Sequence, residues 1–491
     1  MNFKAARLLL FSIPLLVTDY YACAQGAPVA IKAGGNSSMA LHADGTLWEW
    51  GAQYDTYPAN ATVSQLRPRL VPTPASAALA TTWTTMGVGD DHECAIRTDG
   101  TLWAWGYNNT GQLGDGTTID RFAPVLVAHP ANATPGTFWS SVTAVSQVTL
   151  AQRSDSTLWA WGSASKGLLA TGTLNGVQLQ PIIVPVPATY SGTHWSQVAA
   201  SNGHVLALLS NGTLWAWGTN NFGQLGTQTV GLYLSTPTLV SVPATGSTRW
   251  IAIAAGKDHS LALRSDGTLW SWGENGRGQT GAGTVIRNLT ATEIPVPATA
   301  APGTRWARIA AGEEHSLALL SDGTLWGWGR NSEAQLGDNS ATDRRQPVQE
   351  FTRGRWSQIA GGTMHSLALA QGSSRVFATG AIAPQRNVGQ LGDGTLNGSL
   401  YYRPSLVTPL PVKTPLVTQA KLFPNPAHDW VTLEGVAPGT KVLIYNALGQ
   451  QVKIAEISMM GIELRGLVPG RYWIITQPLQ GNSHAFGVVK E

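Results

Sequence analysis

The chain has 491 residues, of which 31 are basic and 28 acidic, and charged side chains make up only 12% of it. A formal charge of +3 without basic clusters excludes the electrostatic footprint of a nucleic-acid binder. Beyond the N-terminus no apolar run is long enough to cross a bilayer as a helix, and Gly, Thr, Ser, Asn and Pro fill the loops of what reads as an exported all-β protein.

Lys4 and Arg7 precede an apolar run over 8–17, and Ala22-Cys23-Ala24 follows it. Those charged, apolar and small-residue parts predict a secretory signal peptide over 1–24. Cleavage after Ala24 leaves Cys94 as the single cysteine, so no internal disulfide is expected. A lipid anchor at Cys23 is the alternative, for which Tyr20-Tyr21 is a poor lead-in. Cys94 stands where sister segments carry Leu261 or Leu317, and it is expected to be buried and inert.

From residue 25 to 412 one pattern is written seven times. Its closing glycine falls at Gly51, Gly106, Gly162, Gly218, Gly273, Gly329 and Gly380, in steps of 55, 56, 56, 55, 56 and 51 residues. Trp83, Trp139, Trp195, Trp250, Trp306 and Trp356 each stand nine residues before His92, Val148, His204, His259, His315 and His365. A register held through so many copies means that each copy packs on the next in the same way. Short apolar runs separated by Gly, Asp, Asn and Pro read as strands. The recurring Asp-Gly, as at Asp322-Gly323, reads as a two-residue hairpin turn, with Asp155-Ser156 departing from it. The strand after it, Leu102-Trp103-Ala104-Trp105, is apolar on both faces, so neither face meets water. Proline-rich stretches such as 237–243 should form the outermost strand and the crossing to the next sheet. The predicted fold is all-β: seven four-stranded blades closed into a propeller, which buries both faces of every sheet.

Trp105-Gly106-Tyr107-Asn108-Asn109-Thr110-Gly111-Gln112-Leu113-Gly114-Asp115-Gly116, Gly389-Gln390-Leu391-Gly392 and the Ala-Gly-x-x-His-Ser-Leu-Ala-Leu segments resemble the regulator-of-chromosome-condensation repeat family over about residues 26–412. That resemblance implies a seven-bladed β-propeller. Blade 1 departs from it at Ser37, blade 3 at Val148 and Gly167-Leu168-Leu169-Ala170, and blade 7 lacks the Trp-x-Trp. A plant ultraviolet receptor of that family sets Trp-Arg between Gly and His in three successive blades. Lys257-Asp258, Glu313-Glu314 and Thr363-Met364 stand there instead, which argues against photoreception. Even connector lengths argue against the wedge of the family's exchange factor.

The repeat histidines could be read as a ring of metal ligands, but blades hold equivalent positions too far apart for one ion, and each ring is expected to satisfy backbone groups in its own turn. No Ser-His-Asp order, Walker loop or Cys-x-x-Cys is present, so no catalytic, cofactor-binding or metal-binding residue is assigned and no cofactor is expected. The residues just before each histidine vary on a fixed frame, which is where binding lives. Asp90, Asp91, Lys257, Asp258, Glu313 and Glu314 are the candidate partner-binding rim, for an unknown protein or glycan ligand. The alternative is a polysaccharide lyase or hydrolase acting on the propeller's central face.

A linker over 413–421 precedes a second unit, 422–491, whose short strand-like runs predict a small Ig-like β-sandwich. Pro424-Asn425-Pro426, Tyr445-Asn446-Ala447-Leu448-Gly449-Gln450 and Leu467-Val468-Pro469-Gly470-Arg471-Tyr472 resemble the C-terminal sorting domain of type IX secretion substrates. That resemblance implies the outer-membrane type IX machinery as a partner, with secreted or outer-surface cargo, and gives Pro424, Asn425, Pro426, Gly449 and Gly470 as the sorting motif.

Overall fold

A computed structural model describes residues 26–491, apart from 54–62, 75, 79–80, 131, 242–247, 284–286, 374, 384–385, 407–420, 424–427, 435–440, 447–450, 459–461 and 478–484. The predicted signal peptide, the linker up to Ala420, and Pro424, Asn425, Pro426 and Gly449 therefore lie outside the described residues. The chain divides into two compact units, one over 25–408 and one containing 409–491.

The first unit consists of seven four-stranded antiparallel sheets, each made by one uninterrupted stretch: 28–70, 83–126, 139–184, 195–239, 250–294, 306–349 and 356–404. In blade 6 the strands are Trp306–Ala311, His315–Leu320, Leu325–Gly329 and Arg344–Gln349, hydrogen-bonded in that order. All residues of the second and third strands are buried, as a run apolar on both faces requires. Among the described residues the only helical turns are Ser165–Gly167 and Ala188–Tyr190. Among the described residues no helix is long and apolar enough to cross a membrane.

The Asp-Gly-Thr-x-Trp sequence explains itself in the hairpin. Asp322 Oδ1 accepts hydrogen bonds from Thr324 N at 3.0 Å and Thr324 Oγ1 at 2.7 Å, and Thr324 Oγ1 accepts one from Trp326 Nε1 at 3.1 Å. Gly323 takes the positive φ of +83°. Blade 3 keeps the same bonds, from Thr157 to Asp155 and from Trp159 to Thr157, but Ser156 must adopt a φ of +63°, a left-handed conformation that costs a non-glycine residue energy. The prolines fall where a missing N–H is harmless: Pro68, Pro124, Pro181, Pro237 and Pro347 are all in fourth strands.

In the second unit the strands Lys421–Phe423, Trp430–Glu434 and Ile462–Glu463 form one sheet. Gln451–Glu456, Lys441–Asn446, Gly470–Gln477 and Ala485–Lys490 form another. Val431 and Ile462 from the first share an apolar cluster with Val442, Ile444, Ile474 and Val488 from the second.

Candidate functional site

The sequence led us to expect each repeat histidine to serve its own turn; instead every Nε2 reaches the next blade, and His204 alone among them also meets its own turn, with Nδ1 3.1 Å from Ser201 Oγ. His204 Nε2 lies 2.7 Å from Ser260 Oγ, His259 Nε2 2.9 Å from Ser316 Oγ, His315 Nε2 2.8 Å from Ser366 Oγ and His365 Nε2 2.8 Å from Ser38 Oγ. His92 Nε2 meets Thr149 Oγ1 at 2.7 Å in the same way. Each of those serines donates its own hydrogen back to the preceding blade, to the carbonyl of Gln224, Gln279, Gln335 or Gln390. The facing Nε2–H is therefore the donor in these four latches. The next blade's tryptophan uses the same carbonyl: Trp272 Nε1 donates to Gln224 O at 2.8 Å and Trp328 Nε1 to Gln279 O at 3.0 Å. All five histidines are buried, and burial holds them at about 3 to about 4. The glycine of Ala-Gly-x-x-His is where the ring stacks, since a Cβ on Gly312 would come 2.1 Å from His315 Cε1.

At junctions that break the pattern both partners have changed. Val148 has no imidazole, and the residue it would have met is Val205; both lie in one apolar cluster. Ser37 replaces the histidine of blade 1, and Glu93 replaces the serine of blade 2. There Trp105 Nε1 donates to Glu49 Oε2 at 3.2 Å instead of to a glutamine carbonyl, and Arg69 neutralises Glu49 at 2.9 Å. Burial, and then the Glu49 charge, push Glu93 up to about 8. In blade 7 Thr379 Oγ1 donates to Ala334 O at 3.0 Å. Tyr402 takes the tryptophan's space, packed under Gly337 and against Trp356 at a ring separation of 5.3 Å.

The seven innermost strands enclose a central channel of about 300 Å³, and the Ala-Gly-x-x-His loops form one mouth of it. Backbone bonds run from loop to loop around part of this mouth: Lys257 N to Glu313 O at 2.9 Å, Glu313 N to Gly362 O at 3.2 Å and Thr363 N to Gly35 O at 3.0 Å. The loop frame is fixed while its side chains differ blade by blade.

Of the predicted rim residues, Asp90, Lys257 and Glu313 line the channel mouth together. Asp90 accepts from Asn202 Nδ2 at 2.5 Å across the intervening blade. Burial, and more weakly the Glu313 charge, hold its carboxyl above the ordinary range. Lys257 pairs with Glu313 at 2.7 Å, a contact that raises the lysine. Asp258 accepts from Gln224 Nε2 at 2.9 Å and is raised by burial, and Glu314 pairs with Arg330 at 2.9 Å. Asp91 contributes its carbonyl to Tyr107 N at 2.9 Å. Arg330, Lys166, whose Nζ donates to Asn202 O at 2.8 Å, and Glu274, raised by burial, belong to the same neighbourhood and were not anticipated. Nor was Lys32, which lines the channel itself; the available signal was its register, since the equivalent residues are Gly87, Thr143, Ala199, Ala254, Ala310 and Ala360. Among the described residues no three His, Cys, Asp or Glu side chains converge on a common ion site. In the second unit, Gly470 opens the strand Gly470–Gln477.

A family model described as the RCC1-like domain matches residues 67–422. The chain belongs to that family. This RCC1-like propeller is 30% identical over 323 residues to the ultraviolet-B receptor UVR8 of Arabidopsis thaliana, an alignment covering 65% of this chain and 69% of the receptor. It is 28% identical over 377 residues to the E3 ubiquitin-protein ligase HERC2 of Homo sapiens, covering 76% of this chain but 7% of the ligase. Among solved structures it resembles Prp20p of Saccharomyces cerevisiae, with a TM-score of 0.62 and 25% identity over 74% of this chain and 87% of that one. That structure is described together with the binding of Prp20p to Gsp1p and histones.

Proposed function

We propose that this RCC1-like propeller is a non-enzymatic binding protein that engages a protein or glycan partner through the Ala-Gly-x-x-His rim. We propose further that it acts outside the cell, secreted or held at the outer surface, after export directed by an Ig-like C-terminal sorting domain of the type IX kind. The observation that carries the binding reading is the rim itself. Its backbone is tied loop to loop, its side chains are blade-specific, and its carboxylates are engaged by Asn202, Gln224, Lys257 and Arg330 rather than left as a facing acid pair. A stiff frame carrying variable side chains loses little entropy on docking. The binding of Gsp1p and histones described for Prp20p supports a protein partner on this fold. The export reading is supported by the sequence signals at both ends and by the separate core of the C-terminal unit.

The test is affinity capture from envelope and extracellular extracts by residues 25–412, repeated with Lys257→Glu/Glu314→Lys and with the hairpin variant Asp266→Ala on the opposite end of blade 5. Capture should be lost with the rim variant and kept with the hairpin variant. Equal capture by both, or turnover of a polysaccharide without stable binding, would reject the rim.

A further inference from the structure

Lys32 is a cation placed where the fold supplies it no counter-charge. It lies on the innermost strand Pro28–Ala33, two residues below the mouth loop that begins at Gly34. The other six blades put Gly, Thr or Ala at that register, so blade 1 alone projects a long side chain into the channel. Its surface is open to water, but the water is that of a channel walled by all seven inner strands. Its backbone pairs with Met39 in the sheet, but among the described residues its ammonium has no hydrogen bond or ion pair. The acids nearest the mouth are already occupied: Asp90 by Asn202, Asp258 by Gln224, Glu313 by Lys257 and Glu314 by Arg330. Enclosure without a partner lowers the Lys32 pKa, the direction expected of an amine that would gain from an anion.

We propose that the central channel is a binding site for a small free carboxylate, with Lys32 as its counter-ion. A cavity of about 300 Å³ has room for roughly ten waters at ~30 Å³ each, or for an organic acid of a few carbons with some of that water. The inner strands are paired on one edge only, so backbone N–H groups on the free edge can donate to a carboxylate oxygen, and the ammonium supplies the charge-assisted bond. Larger acids and peptide chains are opposed by the mouth, where the Lys257–Glu313 and Asp90–Asn202 contacts narrow the entry. This site stands apart from the rim reading, and failure to find a rim partner leaves it untouched.

The experiment is titration of the full propeller, residues 25–412, with sodium acetate and sodium succinate by calorimetry and thermal shift, against sodium chloride of equal ionic strength. Lys32→Ala copies the residue that four sister blades carry, so the variant is expected to fold with an unchanged melting temperature in carboxylate-free buffer. The wild type should bind acetate saturably and Lys32→Ala at least tenfold more weakly, while Arg355→Met, which removes an exposed cation paired with Asp322 at 2.8 Å away from the channel, stays within about twofold of the wild type. Saturable binding that survives in Lys32→Ala, or a wild-type response no greater than that to chloride, would overturn the proposal.

Discussion

His365 Nε2 lies 2.8 Å from Ser38 Oγ, 327 residues away in sequence, and this contact joins the last blade to the first. No strand is exchanged at the seam, because blades 1 and 7 are each made of four consecutive strands. The ring is closed by the same His, Ser and Gln carbonyl that join blade 4 to 5, 5 to 6 and 6 to 7, reinforced by Gln358, whose side-chain amide bonds Val29 O at 2.5 Å and Ile31 N at 3.3 Å.

Removing the hydroxyl at that seam leaves the buried His365 Nε2–H without a partner, whereas the Gln390 carbonyl keeps its bond from Trp50 Nε1 at 2.9 Å. Ser38→Ala is expected to cost about 1–3 kcal/mol, the desolvation penalty of an orphaned buried group. Ser321→Ala, at an exposed hairpin where Ser321 Oγ only accepts from Arg305 N at 3.3 Å, should change stability by less than about 0.5 kcal/mol. Urea unfolding of the two variants decides it, and equal midpoints would mean that the latch contributes nothing.

The paired valines at the junction of blades 3 and 4 give a cleaner test of the latch. Val148→His alone sets an imidazole against apolar Val205, and Val205→Ser alone buries a hydroxyl beside Val148. Each should destabilise by about 1–3 kcal/mol. The double variant rebuilds the pair found at His204–Ser260, with the Leu168 carbonyl, already bonded to Trp217 Nε1 at 2.9 Å, as the third member. The double-mutant cycle should show a favourable coupling of about 1 kcal/mol or more. Additive losses would show that His and Ser do not act as a unit.

The blades, their number and their strand order were legible in the sequence because tryptophan, glycine and the Asp-Gly turn recur at fixed spacing, and periodic signals survive individual substitutions. The Pro-bearing edge strands were legible for the same reason. The histidine's partner was not, because the contact joins residues about one repeat apart, and sequence does not show which face of one blade meets the next. Lys32 was missed because a lone lysine in a short strand looks like a solvated edge; only its register against Ala199, Ala254 and Ala310 reveals that it points into the channel. The compensations at Val148–Val205 and Ser37–Glu93 could have been found by aligning the seven repeats against each other one step out of phase.

A methyl group on Gly312 tests why glycine precedes the histidine. The added Cβ would lie 2.1 Å from His315 Cε1 and 2.6 Å from Gly362 O, and the second of these is backbone that cannot move aside. Gly312→Ala should lose about 3 kcal/mol by overpacking, and Gly312→Ala/His315→Ala should lose less than the sum of the two single changes. A neutral Gly312→Ala would show that the ring does not stack there.

Titration should shape stability from both sides. The five latch histidines stay neutral in the fold down to about 3 to about 4, whereas in the unfolded chain they bind protons below about 6.5. Stability is therefore lost as pH falls through that interval, because the unfolded state binds more protons. Glu93 acts in the opposite sense. Its folded pKa is raised to about 8, so between its ordinary value of about 4.3 and that point the folded state holds the extra proton, and stability falls as pH rises. Melting temperature measured from pH 4 to 9 should pass through a maximum. Glu93→Gln should flatten the fall between about 6.5 and about 8 and steepen the acid limb between about 4.3 and about 6.5, where Glu93 opposes the histidines. An unchanged alkaline limb in Glu93→Gln would remove Glu93 from the account.

The export reading is tested by cutting between the two units. The seven blades end at Pro404, and the C-terminal unit keeps its own apolar cluster of Val431, Val442, Ile444, Ile474 and Val488, so deleting 423–491 removes no blade and no residue of a blade core. The truncated chain should melt within a few degrees of residues 25–412. In a host that carries the type IX machinery it should accumulate in the periplasm, whereas the full chain should reach the medium or the outer surface and be cleaved near 413–421. Fusing 413–491 to an unrelated periplasmic protein should carry that protein out as well. Secretion of the truncated chain, or an uncut C-terminal unit on mature surface protein, would assign the second unit to binding instead of export.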